Sequence, residues 1–378
     1  MKFFTALVTT FATMMLTSGC MEDTPKGGPG GSGEKTQGEV VLEQVVIDNI
    51  ARNVIVATYR DLRDCTQEMA RLAGNLQASP SDGQLQQVQA QWRLCRIPWE
   101  SSEGFVFGPA LEIDPTIDSW PLSIISLNGI LDSQAQISAA FIRSQGNDVK
   151  GFHTAEFLLF GDGLSKNTKS VAEMTPRQIE YLVAVTAVLS EYTANLYRQW
   201  TEQYDLSVAK SKSFVDIVLT PSLENQLYPT RSAVLQQFVQ GMKKIAAEVG
   251  DSKLRTPLGG DIDHAEGSQV ESQFSWNSLA DFQNNVHSIR NIYTGDYGNR
   301  SGAGLDEIVK LKNPDLNLRV LAEIDAAETA ISAIAGPDKL SYTLAIKNPE
   351  ARARTALAIK ALAKLFATLQ SDLLPVFR

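Results

Sequence analysis

One histidine and one glutamate, three residues apart in an apolar segment, are the residue types in this chain best suited to chemistry. They are His153 and Glu156, within residues 151–161, and histidine occurs only three times in 378 residues. The apolar pattern predicts a helix, in which positions i and i+3 share a face. An imidazole beside a carboxylate is half of a metal site, or a base with its orienting partner. A surface histidine, or one satisfied within the core, is the alternative interpretation.

A second group of candidate residues lies within 96–121, a segment that we expect to be irregular. Glu100 and Glu103 would share a face in a single helical turn, and Asp118 precedes a Trp-Pro pair. With Glu156, these acids would repel one another and take up protons unless a cation neutralised them. A metal ion would neutralise them directly. Alternatively, Arg96 and backbone amides neutralise the acids without a metal.

The donor set favours metal binding over proteolysis. Common metallopeptidases carry His-Glu-x-x-His, whereas Thr154 and Phe157 stand at the second and last positions of that pattern here. The other histidines, His264 and His287, are far along the chain. One imidazole with several carboxylates suits iron or manganese and also tolerates zinc or calcium. A hydrolase with Glu156 or Glu103 as general base on a metal-bound water is the rival hypothesis.

The elements that must position these residues are predicted to be helices. Apolar spacing predicts helices over 40–76, 85–94, 133–144, 176–204, 214–249 with bends at its prolines, 276–293, 314–335 and 349–374. No alternating run indicates a strand. We therefore predict an all-α fold of two packed helical bundles, of the four-helix type, over residues 39–205 and 206–378.

The N-terminus has the pattern of a bacterial export signal over residues 1–20. Lys2 precedes a short apolar stretch, and Cys20 follows a small residue, as in lipoprotein processing sites. Thr17 stands where that pattern usually has leucine, so ordinary signal cleavage is the alternative. Residues 21–38 predict a flexible linker. We expect an exported, periplasmic protein that is lipid-anchored at Cys20 to the outer membrane.

Charge and cysteine content agree with that compartment. The net charge of −9 argues against nucleic-acid binding, which needs basic patches, and is compatible with attracting cations. If Cys20 carries lipid, Cys65 and Cys95 remain as an even pair. In an oxidising compartment they could form a disulfide, and two separate buried thiols are the alternative.

Several motifs together resemble the imelysin-like family, also classed as the M75 peptidase group. The resemblance rests on Pro-Trp-Glu-x-x-Glu-Gly-Phe-x-Phe-Gly-Pro at 98–109, Asp-Ser-Trp-Pro at 118–121, Gly-x-His-x-x-Glu at 151–156, Glu-Ser-Gln-Phe-Ser-Trp-Asn-Ser at 271–278, Asp-Phe at 281–282 and Tyr-Thr-Gly at 293–295. These motifs span almost the whole exported body. The resemblance implies two helical bundles, a cleft lined by the histidine helix, and a link with bacterial iron acquisition.

The resemblance also implies roles for individual residues. The metal ligands would be His153, Glu156, Glu100, Glu103 and Asp118. The cleft would be lined by Trp99, Phe105, Phe107, Trp120, Glu271, Ser272 and Ser275, with the two phenylalanines excluding water. The alternatives are that Ser275 caps a helix and that the two tryptophans belong to the core.

We therefore expect a metal-binding protein that captures or hands on iron at the cell envelope. Its partners would be the metal ion, most readily iron, and envelope iron-transport components, with the lipid anchor as the sole membrane contact. The alternatives are a metal-dependent peptidase of the M75 type and a module that binds a polymer or a haem-type ligand.

Overall fold

The computed structural model describes residues 35–378, and this part of the chain is built from helices. The α-helices are α1 (Gln37–Asn49), α2 (Ala57–Ala78), α3 (Asp82–Glu100), α4 (Pro109–Ile117), α5 (Ile124–Asp132), α6 (Ala139–Ser144), α7 (Gly151–Phe160), α8 (Pro176–Thr201), α9 (Phe214–Leu219), α10 (Arg231–Ala247), α11 (Thr256–Leu258), α12 (Ser278–Thr294), α13 (Leu305–Lys312), α14 (Pro314–Ala333), α15 (Tyr342–Ala345) and α16 (Pro349–Thr368). Three π-helical segments, Ile50–Val56, Glu248–Arg255 and Leu369–Leu373, directly continue α1, α10 and α16. Between residues 35 and 378 there is no β-strand, which confirms the all-α prediction.

Two sets of four helices make the main contacts. Helices α2, α3, α7 and α8 pack on one another, and so do α10, α12, α14 and α16. Contacts of α3 with α12, and of the Glu103–Phe105 turn with α10 and α12, join the two sets. The first helix, α1, lies against α9, α10 and α13, so Gln37–Arg378 forms one compact unit. The predicted boundary between residues 205 and 206 stays a prediction.

Helix ends follow local capping signals. The Thr175 side chain accepts a hydrogen bond from the Gln178 backbone N–H, with Pro176 at the first turn of α8, as its sequence predicts. The predicted helix over 133–144 is wrong for its first half. There α5 ends before Ser133, and α6 starts only after Ser138, whose side chain accepts from the Phe141 N–H.

The segment 96–121 is more regular than we predict from its sequence. Helix α3 runs through Pro98 to Glu100, and α4 forms nine residues later. Proline removes one backbone hydrogen bond, but close to the end of a helix packed on α2, α7 and α12 this loss is tolerated. As a result, Arg96 and Glu100 lie on one turn of a rigid helix rather than on a loop.

Some sequence predictions concern residues outside the described range. The export signal, the lipid attachment at Cys20 and most of the linker fall in residues 1–34. The folded body begins with α1 at Gln37, two residues earlier than predicted. No helix in residues 35–378 combines the length and the apolar character needed to span a bilayer.

A disulfide between Cys65 and Cys95 ties α2 to α3, with the two Cα atoms 5.3 Å apart. It closes a loop with a sequence separation of 30 residues. A cross-link over such a loop restricts the unfolded chain, so we expect the Cys65→Ser, Cys95→Ser double variant to lose roughly 3.5 kcal/mol of unfolding free energy. Urea unfolding followed by circular dichroism measures this loss. Wild type unfolded with a thiol reductant is the control, and an equal midpoint with and without reductant would contradict the prediction.

Candidate metal centre

A glycine fixes the helix that carries the histidine motif. Gly151 has φ +80°, and a Cβ atom there would lie 2.3 Å from the carbonyl oxygen of Ile117. Only glycine allows both the angle and this close approach. Ile117 ends α4 and Asp118 follows it, so the contact brings Asp118 beside His153. The glycine of the motif is thus a positioning residue.

The two ring nitrogens of His153 have different surroundings: Nδ1 contacts Glu156, whereas Nε2 has no hydrogen bond of good geometry. Its Nδ1 atom lies 2.9 Å from Oε2 of Glu156. The other oxygen of Glu156 accepts from the Ser275 backbone N–H (2.8 Å) and hydroxyl (2.7 Å). The buried Nε2 atom of His153 has no hydrogen-bond partner, although it lies 3.3 Å from Oδ1 of Asp118. Glu156 therefore orients the imidazole, and Nε2 points toward the acids.

The charges around His153 determine its protonation. Burial by itself lowers the pKa of His153, but Asp118 and Glu156 outweigh burial and raise this pKa to about 10. Without a metal, the imidazole is therefore protonated at neutral pH. A metal ion that binds Nε2 must displace a proton.

Arg96 is the central cation of the acid cluster. Its fully buried guanidinium donates to Glu100 and Asp118, and it lies 3.1 Å from Oε1 of Glu271 and 3.3 Å from Oδ2 of Asp281. Arg96 thus neutralises part of the acid charge, as one of the two sequence interpretations holds. One guanidinium that faces four carboxylates leaves most of their charge uncompensated.

Lys253 is the second buried cation of the acid cluster. It lies on the π-helical segment that continues α10, and its Nζ atom is 3.2 Å and 3.1 Å from the two oxygens of Glu271. The same Nζ atom is 3.6 Å from Oε2 of Glu100. Lys253 is not among the residues predicted from the sequence, because nothing marks one lysine in a polar stretch as buried. Single-turn π-helical insertions frequently occur at functional sites.

Helix α12 closes the cluster from the second set of helices. The Ser272 hydroxyl donates to Asp281 (2.5 Å), and Asn285 donates to Glu100 (2.5 Å). Burial raises the pKa of Asp281 to about 7 even though Arg96 opposes the shift. Ser272 and Trp276 have φ of 54° and 60°. Such left-handed angles cost on the order of 1 kcal/mol each, so the surrounding structure holds this turn in place.

A cavity of about 460 Å³ opens next to the cluster. Trp120 forms part of its wall, and its ring centroid lies 4.7 Å from that of His153. The charged lining residues are Lys253 and the five acids Glu103, Asp114, Asp118, Glu248 and Glu271. Burial raises the pKa of Glu103 well above its usual value, and burial together with Asp118 raises that of Asp114 to about 7. Carboxyl groups thus dominate the charged lining of the cavity.

The structure brings four of the five predicted ligands, Glu100, Asp118, His153 and Glu156, into one network but not around one point. Among the described residues, potential ligand atoms lie within 4.8 Å of one another in two sets of three: Asp118, His153 and Glu271, and Glu100, Glu271 and Asp281. Glu103 and Glu156 belong to neither set. Glu271, which the sequence analysis places in the cleft wall, belongs to both.

The residues predicted to line the cleft separate into three groups. Trp120 and Glu271 line the cavity. Trp99 is fully buried and donates its indole N–H to Asp118 (2.6 Å), so it supports the site from the core. Ser272 and Ser275 are fully buried behind the acids, and Ser275 does not cap the helix, which starts at Ser278.

Phe105 and Phe107 do not line this cavity. Phe105 packs edge-on against Tyr59, with ring centroids 5.6 Å apart, and Phe107 packs against Trp200 at 5.7 Å. Their placement is a packing result, because apolar rings after the Glu103 turn reach the nearest core between α2, α8 and α10. His264 and His287 are 76% and 43% exposed and lie outside the site.

Comparison with known proteins places the chain in a family. The family model described as imelysin, peptidase M75, matches residues 55–369. The chain belongs to the imelysin family. Iron-regulated protein A of Synechococcus elongatus is 26% identical over 343 residues, which cover 90% of this chain and 88% of that protein.

Solved structures of similar chains agree with the fold. A candidate iron-regulated protein A precursor from Parabacteroides distasonis superposes with a TM-score of 0.73 at 25% identity, covering 90% of this chain and 97% of its own. An imelysin-like protein from Psychrobacter arcticum gives a TM-score of 0.67 at 14% identity, over 89% and 96% of the two chains. The second likeness shows the fold alone.

Proposed function

We propose that this imelysin-family protein captures an iron ion as cargo, with Asp118, His153 and Glu271 as its ligands. We also propose that it is exported and lipid-anchored through Cys20, and that it passes iron to an envelope transport component. The observation that carries the iron proposal is the buried Nε2 atom of His153, which has no hydrogen bond of good geometry and lies beside two carboxylates. In the metal-free protein its proton faces Asp118 at 3.3 Å, and a metal ion would replace that proton between the imidazole and the carboxylates.

The chemistry of the donors fits iron. Two carboxylates and one imidazole are hard-to-borderline ligands, and no thiolate is present that would favour softer metals. The Glu156 carboxylate on Nδ1 of His153 fixes the ring and strengthens Nε2 as a donor. The names of two similar proteins, both called iron-regulated, agree with iron as the first choice.

The charge of the network also fits a multivalent cation. Its five carboxylates are Glu100, Asp118, Glu156, Glu271 and Asp281, and its three cationic groups are Arg96, Lys253 and protonated His153. Two negative charges therefore remain when all of these groups are ionised, and three remain once a metal ion has displaced the proton of His153. A divalent cation would offset most of that charge and a trivalent cation all of it, and the acidic cavity would attract either ion from solvent.

The affinity of the purified body for ferrous iron, measured by anaerobic calorimetry, tests this proposal. We expect His153→Ala and Glu271→Gln each to weaken binding by at least about tenfold, since even changes around a metal ligand cost 10–100-fold. His287→Ala is the control, because it removes an exposed imidazole outside the site. Equal affinity in His153→Ala and His287→Ala would reject the proposed ligands.

The same variants test the peptidase alternative. Ser272 and Ser275 direct their hydroxyls to the carboxylates of Asp281 and Glu156, so neither donates to His153 as a nucleophile would. Chelator-sensitive cleavage of a protein substrate by wild type, lost in His153→Ala, would replace cargo binding by catalysis.

A further inference from the structure

We propose that Lys253 is a tethered counter-cation that occupies the cation position between Glu100 and Glu271 and must leave it when a metal ion loads. Lys253 would thereby set the selectivity of the site for cations of charge two or more. This inference rests on the proposed function, since it concerns the same acids.

The Lys253 ammonium lies at the acid that both sets of potential ligands share. Nζ of Lys253 contacts both oxygens of Glu271 at 3.1–3.2 Å, and Glu271 is the acid shared by the two sets of potential ligands. Nζ is also 3.6 Å from Glu100. A metal ion bound by Glu271 would compete with this ammonium for the same oxygens. Lys253 therefore has to release at least one oxygen of Glu271 when a metal ion binds there.

The cavity also contains alternative carboxylate partners for the Lys253 ammonium. Glu103 is 6% exposed and lines the cavity, and in the described residues its carboxylate makes no hydrogen bond or ion pair. Glu103 and Glu248 both interact electrostatically with Lys253 and line the same cavity. Lysine carries its ammonium on a flexible four-carbon stem, so the group can turn from Glu271 toward these acids.

Lys253 projects from a π-helical segment that forms one wall of the cavity. The π-helical segment Glu248–Arg255 places Glu248, Ser252 and Lys253 on the cavity lining, followed by Thr256. A regular α-helix over this range would rotate these residues relative to one another, because a π-turn contains one more residue. The local irregularity thus aims Lys253 and Glu248 at the same cavity.

A tethered ammonium predicts selectivity by charge. It already supplies one positive charge at high local concentration, so a monovalent ion gains little by replacing it. A divalent ion interacts about twice as strongly with the same carboxylates and can displace the ammonium. Removal of Lys253 should therefore increase affinity for divalent ions and also make the site sensitive to potassium.

The test compares zinc and ferrous iron binding by wild type, Lys253→Met and Lys253→Arg, each with and without potassium chloride. The matched control is Lys244→Met, which removes the same charge from an exposed lysine on α10. We expect Lys253→Met to bind the divalent ions at least about tenfold more tightly than Lys244→Met. We also expect potassium to weaken binding in Lys253→Met but not in Lys253→Arg or wild type, beyond the effect of equal ionic strength from a bulky organic cation.

The outcomes separate this inference from the proposed function. If wild type binds metal through His153 but Lys253→Met binds no tighter than Lys244→Met, or binds more weakly, the counter-cation inference is wrong and Lys253 only supports the acids. If neither wild type nor Lys253→Met binds metal, the proposed function fails and this inference with it. Metal binding by Lys253→Met alone would support the inference. Lys253→Gln provides the same comparison if the methionine variant does not fold.

Discussion

Replacement of Arg96 by methionine is expected to destabilise the protein by about 3–5 kcal/mol, which is the usual cost of removing one partner from a buried ion pair. The Arg96 side chain is fully buried and faces Glu100, Asp118, Glu271 and Asp281. Without the guanidinium, Lys253 and His153 would be the remaining cations for these acids. Urea unfolding of the metal-free protein, followed by circular dichroism, measures the loss.

Two further variants define the cause of that loss. Arg96→Lys keeps the charge but lacks the planar fork that reaches several carboxylates at once, so we expect an intermediate loss. Arg319→Met removes an exposed arginine that is paired with Asp372, and such surface pairs contribute about 0–1 kcal/mol. If Arg96→Met were as stable as Arg319→Met, the acids would have to be neutralised by something other than the guanidinium.

The sequence predicts the composition of the site better than its geometry. Motif spacing identifies His153 and Glu156 as neighbours, and the structure has their side chains 2.9 Å apart. Spacing cannot show that one carboxylate oxygen of Glu156 contacts His153 while the other accepts a hydrogen bond from Ser275. The sequence leaves open whether Glu156 binds a metal or orients the imidazole, and the contact with Ser275, in the segment before α12, favours the orienting role.

Long-range packing also determines which acid completes the site. Glu271 lies 118 residues from His153 along the chain, since the two are numbered 271 and 153. Its side chain joins the site because the turn before α12 is held on α3, where Arg93 donates to the Ser275 carbonyl and to Asn277. Periodicity predicts most long helices within a few residues, as helical faces are local patterns. It does not predict which irregular turn two packed sets of helices bring to their junction.

Aromatic residues show the same limit. Phe105 and Trp120 both lie near acidic motifs, yet Phe105 is fully buried in the core and Trp120 lines the cavity. Both placements bury apolar area, and the free-energy gain per unit area is similar for either ring. The choice between core and cavity wall depends on neighbouring helices that the local sequence does not specify.

The acids that remain partly uncompensated lead to the second large effect, on the pH dependence of stability. We expect the metal-free protein to lose stability as pH rises from about 4 to about 7. Burial raises the pKa of Asp281 from 3.8 to about 7, and that of Asp114 likewise to about 7. Between pH 3.8 and about pH 7, these two acids hold protons in the native state that they have released in the unfolded chain. This contribution is therefore fully present below pH 3.8 and is lost as pH rises through 7.

Other buried groups with shifted pKa values either also lower stability as pH rises or titrate outside the window from pH 4 to pH 7. The pKa of His153 is raised from 6.5 to about 10, so its contribution declines across that higher window. The pKa of Asp118 is lowered, mainly because Arg96 and His153 outweigh its burial, so its contribution is lost only in acid below pH 4. The decline between pH 4 and pH 7 therefore belongs to the buried acids with raised pKa values.

Asp281→Asn isolates this effect, because the amide cannot ionise but can still accept from Ser272 and Arg96. At pH 4.5 the variant should be nearly as stable as wild type, whose Asp281 is then protonated. At pH 8 it should be more stable by up to a few kcal/mol, since each unit of pKa shift is worth about 1.4 kcal/mol. Asp338→Asn, at an exposed position, is the control. If chemical unfolding gave Asp281→Asn and wild type the same slope of stability against pH, Asp281 would not be the buried proton-binding group, and the decline would have to come from Asp114 or another buried acid with a raised pKa.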